Sequence, residues 1–283
     1  MRLFLNPFTL LSSTTRSSKA VSSSFFIALI VCAMPFLSAQ TTAYKGPRTA
    51  DGKPNLSGIW QTMNTANWDL SAHASKIGNI ASQGAQGAEP GGIGVVEGGT
   101  IPYLPEALRI KEANYKKRFT DDPEIKCYMP GVPRANYQPF PFQIVQNPKI
   151  IIMAYEFAAA SRTVYMGKAP EGADESWMGT SAGHWDGDTL VVDVTGFIDQ
   201  TWFDRAGDFH SDALKVTERY TPVSPELIRY EATITDPKVY SRPWKISLPL
   251  YKHIEPNARL MEFRCEEYVE ELMYGQYRKK PNP

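Results

Sequence analysis

Residues 213–235 read ALKVTERYTPVSPELIRYEATIT. Apolar and polar side chains alternate on either side of a segment holding Pro222 and Pro225. A period of two marks a strand with one dry and one wet face. Proline cannot donate to a strand ladder, so the two prolines end the runs and mark a hairpin. Pairing Tyr220 with Ile228 sets Glu218 opposite Tyr230, Val216 opposite Ala232 and Leu214 opposite Ile234. That register gathers one apolar face, and a slip of one residue would scatter it. Lys215, Thr217, Arg219, Arg229, Glu231 and Thr233 are left for the wet face.

The same period recurs in both directions from this hairpin. Runs fall near 140–147, 149–157, 162–167, 177–185, 188–195, 242–251 and 259–267, with a further run at 56–61. Many short strands parted by Pro, Gly and Asp predict an all-β domain. Its form is an antiparallel lipocalin-like barrel or a strongly bent sandwich. Asp186-Gly187 is the expected two-residue turn of a second hairpin. Residues 104–118 read as a helix, with Pro105 in its first turn and basic residues at its end. Residues 75–100 are Gly-rich and almost uncharged, which predicts a mobile loop or a lid. No strand feeds these glycines and no GK[ST] follows, so they match no phosphate-binding pattern. Residues 62–138 are thus a helix-and-loop insertion into one domain spanning 40–283, and 266–280 form a short closing helix.

Residues 1–39 read as an export signal: a basic start with Arg2, Arg16 and Lys19, an apolar run from Phe25 to Leu37, and Ala39 at the cut. The apolar run is short for a bilayer, so no stable membrane anchor is expected after cleavage, and the protein is periplasmic or secreted. The whole chain has 30 Lys+Arg, 30 Asp+Glu and a pI near 6.9, which argues against a nucleic-acid partner. The mature chain keeps Cys127 and Cys265. In an oxidising compartment two distant cysteines are a natural disulfide, the alternative being two buried thiols.

Strand parity forces some polar groups inward. Glu218 shares the face of Leu214, Val216 and Tyr220, and His210 and Asp212 join it if the strand extends backward. Glu156 lies on a strand apolar on both faces, with Arg162 just across a short turn as its expected partner. A buried carboxyl needs a donor or cation, or stays protonated. Asp212 is placed to orient His210, whose ordinary pKa suits proton transfer. Trp177, Trp202, Tyr230, Tyr240 and Trp244, with Asp204, supply an aromatic and polar lining, and Arg162 is expected to hold a ligand anion or polarise a carbonyl. There is no HExxH or CxxC pattern, and the four histidines are far apart, so no metal and no cofactor is expected.

The strings DGKPNLSGIW (51–60), CYMPGVPR (127–134), GHWDGDTLVVDVTGF (183–197) and HSDALKVTERY (210–220) resemble those of a widespread family of secreted bacterial proteins. The resemblance implies export and names no chemistry. Gly58-Ile59-Trp60 is separately similar to the G-x-W of lipocalins. The residues predict a small hydrophobic or aromatic ligand and cofactor-independent acid/base chemistry of the lyase or isomerase type. His210, Asp212, Glu218 and Glu156 are its candidate catalytic groups. The alternatives are a carrier without turnover and a carbohydrate hydrolase with paired carboxylates.

Overall fold

In a computed structural model, residues 44–78, 81–170 and 174–277 are described; the expected export signal lies outside them. Nine strands close into one barrel, each next to its neighbours in sequence. They are β1 (Gly58–Gln61), β2 (Phe142–Gln146), β3 (Ile150–Tyr155), β4 (Ser161–Met166) and β5 (Thr180–Asp186). They continue as β6 (Thr189–Thr195), β7 (Lys215–Ser224), β8 (Leu227–Thr235) and β9 (Trp244–Lys252). Pairing of β1 with β9 completes the ring, so the all-β expectation is met by a barrel and not a sandwich. Closure leaves no whole strand as a sheet edge, which limits the hazard of unpaired strand donors and acceptors. The G-x-W stretch is β1. Trp60 is buried inside the ring, and its indole N–H donates to the Leu56 carbonyl at 2.8 Å.

The β7–β8 hairpin keeps the expected faces and changes the register. Tyr220 pairs with Tyr230, Glu218 with Ala232 and Val216 with Ile234, each two residues from the sequence-based pairing. The strands run on to a Ser224–Leu227 pair around Pro225-Glu226, with Val223 bulged out. A two-residue shift preserves side-chain parity, so the buried face is unchanged. In the β5–β6 hairpin, Asp186 pairs with Thr189, which puts the turn at Gly187-Asp188, one residue later than expected. Gly187 takes φ +59° there, a conformation that glycine adopts without steric cost.

Three expectations need correction. First, β4 and β5 run parallel, not antiparallel, and pair only from Val164 to Met166. Second, residues 259–267 form no strand: β9 already pairs with β8 and β1, so no edge is left to take them. They lie along the outside, with Phe263 packed 4.9 Å from Phe140 and 5.0 Å from Phe157. Third, the described part of the Gly-rich segment is tied down. His73 exchanges backbone bonds with Gly92, and Lys76 with Glu89. Gly92 fits because a Cβ there would come within 2.1 Å of the Thr65 hydroxyl.

The insertion carries α1 (Pro105–Lys116) and α2 (Arg118–Asp121), and the tail ends in α3 (Val269–Tyr274). Cys127 and Cys265 form a disulfide with Cα atoms 5.7 Å apart and a sequence separation of 138. Closing so long a loop removes unfolded-state entropy worth about 5 kcal/mol on the loop-length model. No described helix is long and apolar enough to cross a membrane.

Candidate functional site

Inward-facing residues of β3, β4, β7 and β8 meet in a closed polar array inside the barrel. Glu218 is fully buried. Its Oε2 accepts from Arg162 Nη1 at 2.6 Å, and its Oε1 accepts from Arg162 Nη2 at 3.0 Å. That same Oε1 also accepts from Tyr220 at 2.9 Å, Tyr230 at 2.8 Å and Asn136 Nδ2 at 2.7 Å. Arg162 Nε donates to the Tyr155 hydroxyl at 3.1 Å, and that hydroxyl donates to Asn136 Oδ1 at 3.0 Å. Burial alone would lower the Arg162 pKa, but the Glu218 carboxylate and the tyrosines hold it well above its ordinary value. Burial, then the Glu218 charge, pushes Tyr220 and Tyr230 well up, so both stay protonated donors. Burial also raises Tyr155, to about 12.

The charged and polar groups of the array face one another. A buried ion pair closed in this way fixes the strands that carry it. The partner of Arg162 is therefore Glu218, not Glu156 as expected. Glu156 lies just past β3, half-exposed, and its Oε2 accepts from the Met261 N–H at 2.7 Å.

Where β4 parts from β5, the barrel wall opens. The short β4–β5 pairing leaves the β5 side of Ser161–Thr163 without a strand partner. A cleft of about 410 Å3 lies between that edge and Met178–Thr180. This volume falls within the roughly 300–1,000 Å3 typical of small-molecule clefts. Trp177, Tyr165, Met129 and Met178 give it apolar surface; Ser161, Thr163, Ser176 and Thr180 give it hydroxyls. Trp177 is steadied by the Tyr128 ring, with centroids 4.8 Å apart. Arg162 also reaches this cleft, so two expected ligand-binding residues, Arg162 and Trp177, meet at one place.

The expected His210–Asp212 pair does not form. β7 begins at Lys215, and residues 211–214 turn, with Leu214 N–H donating to the Ser211 carbonyl, so strand parity does not extend back to 210. Buried His210 has its Nδ1 2.9 Å from the Ser211 carbonyl and its Nε2 2.6 Å from the Thr201 hydroxyl. A carbonyl only accepts, so Nδ1 carries the proton and Nε2 accepts from Thr201. Burial lowers the His210 pKa and favours this neutral form. Asp212 is exposed and takes Lys238 at 2.6 Å, a bond that lowers its pKa.

The remaining candidates scatter. Trp244 packs edge-on to Phe203, and Tyr240 against Trp244 and Tyr103, its hydroxyl donating to the Phe209 carbonyl at 2.6 Å. Trp202 sits half-buried in a bridge to Phe209. Tyr230 belongs to the barrel array, not to the cleft. Asp204 is buried beside Asp208 and Asp69; burial, then Asp208, pushes its carboxyl well up. The carboxyl groups of Glu156, Asp204, Asp212 and Glu218 thus occupy separate environments, which removes the pairing a carbohydrate hydrolase would need.

Sequence reasoning missed a second closed array. Arg134 grips Asp122 with two bonds of 2.8 and 3.0 Å and also pairs with Glu124, while Arg205 binds Glu124 at 2.8 Å. Burial works against the Glu124 charge, but Arg205 and Arg134 outweigh it and bring its pKa down to about 2. These residues come from irregular segments, where no periodicity announces which side faces in. The chain matches no protein-family model and no curated protein. Fold and site together define a closed β-barrel whose wall carries a cleft of small-molecule size.

Proposed function

We propose that the protein is exported and binds a small, uncharged aromatic or apolar molecule in the β4–β5 cleft without turning it over. The observation that carries this reading is the cleft itself, with Trp177 and Tyr165 among hydroxyl-bearing residues beside the short β4–β5 pairing. The charge of Arg162 is already met by Glu218, so the cleft favours a neutral ligand over an anion. Aromatic walls supply affinity, and serine and threonine hydroxyls supply orientation. The disulfide and the leader sequence support export. Acid/base turnover has less support, because both nitrogens of His210 are engaged and Asp212 turns to solvent.

Tryptophan fluorescence titration with a panel of neutral aromatic compounds tests the reading. The wild-type protein should saturate with at least one class, and Trp177→Ala should weaken that binding at least tenfold while the melting temperature holds. Consumption of a compound, lost on His210→Ala, would instead establish the enzymatic alternative.

A further inference from the structure

Buried acids in this protein are met by donors. Glu218, Asp122, Glu124 and Glu89 each have an arginine, and Asp236 accepts from the Ser211 N–H and hydroxyl and the Lys238 N–H. Asp69, Asp204 and Asp208 also accept from nearby donors, but they differ in standing together. Among the described residues no lysine or arginine forms an ion pair with any of them, and each offers an oxygen within 4.8 Å of the others.

The cluster is held rigidly. Asp204 Oδ2 accepts from the Leu70 N–H at 2.8 Å, and its Oδ1 accepts from the Asp208 N–H at 3.1 Å. Arg205 N–H to the Asn67 carbonyl at 2.9 Å ties the loop carrying Asp204 and Asp208 to the segment carrying Asp69. The second, independent observation is an orphan. Asp208 is 1% exposed; its Oδ1 accepts from Tyr103 at 2.6 Å, but among the described residues no N–H or hydroxyl donates to its Oδ2. A buried carboxylate oxygen without a donor is costly and calls for a counter-charge.

We propose that Asp69, Asp204 and Asp208 bind a hard divalent cation of the Ca2+ type. Three carboxylate oxygens are the donor set such an ion takes. Ca2+ accepts oxygen ligands at about 2.3–2.6 Å in a flexible geometry, whereas Mg2+ demands a near-ideal octahedron at about 2.0–2.1 Å, so carboxylates pinned by backbone bonds in an irregular loop favour Ca2+. Half-buried Asp69 also lines a cleft of about 400 Å3 with Thr65, Gly92 and Ser247, which gives an ion and its waters a way in.

The test uses the mature, disulfide-intact protein stripped of metal with chelator. Calorimetric titration with CaCl2 should give a one-site isotherm. Ca2+ should raise the melting temperature by several degrees, reversibly with EDTA, and MgCl2 should bind at least tenfold more weakly. Asp208→Asn should abolish the response. Asp69→Asn, at the accessible rim, should weaken it at least tenfold while leaving the metal-free melting temperature in place. Absence of heat and of a melting shift with Ca2+ in the wild-type protein overturns the proposal. So does a Ca2+ response that survives in both variants.

Discussion

Replacing Glu218 with glutamine keeps the shape of the side chain and removes its charge. Arg162, buried beneath the β4 strand, would then lose the partner it holds through two bonds of 2.6 and 3.0 Å. The amide also brings two donors to a place where Asn136, Tyr220 and Tyr230 all donate to Oε1. Leaving one member of a buried ion pair uncompensated costs about 3–5 kcal/mol. For a domain of this size each kcal/mol lowers the melting temperature by roughly 2–4 °C, so Glu218→Gln should melt roughly 6–20 °C below wild type. Thermal unfolding followed by circular dichroism reads this directly. Arg162→Met combined with Glu218→Gln should show strong coupling, its loss falling well short of the sum of the singles. A Glu218→Gln protein melting within about 2 °C of wild type would refute the closed array as the strut of the barrel.

Acid should destabilise the fold in two steps. His210 has a lowered folded pKa, so its contribution is full above the ordinary value of 6.5 and fades as pH falls toward the folded value; His210→Gln should flatten that step in urea unfolding. Glu124, lowered from 4.5 to about 2, contributes about 3 kcal/mol that is present above pH 4.5 and lost as pH falls through about 2; Glu124→Gln should remove that dependence. Reducing the protein, or Cys127→Ser, should lower stability by about 2–5 kcal/mol, measured by denaturant titration with and without reductant. Asp212→Asn should leave both the melting temperature and the NMR titration of His210 unchanged, because the exposed Asp212 pairs with Lys238 and the charges acting on His210 are those of Asp236 and Asp199.

The nine strands were legible because period-two patterning survives wherever a strand has one face in the core, as in β7 and β8. Parity also pointed Glu218 inward even though the register was off by two residues. Its partner was not legible, because Arg162 is 56 residues away in sequence and meets it across the barrel interior, whereas local reasoning chose Glu156. The alternating run at 259–267 misled for a topological reason: a closed ring has no edge to accept it. Residues 210–212 misled because a turn, not a strand, precedes β7. Asn136, Arg134, Asp122 and Glu124 sit in loops and short helical turns, where side-chain direction follows from tertiary contacts alone. Nor does any spacing in the chain join Asp69 to Asp204 and Asp208. The β4–β5 cleft depends on a parallel pairing that alternation cannot distinguish from an antiparallel one.

The most direct test is native mass spectrometry of the protein recovered from a host that exports it and supplied with a mixture of neutral aromatic compounds. The account predicts one added mass in the wild-type spectrum, equal to that of an unaltered compound, and its loss in Trp177→Ala. An added mass that persists in Trp177→Ala, or a recovered compound chemically changed from the one supplied, would contradict it.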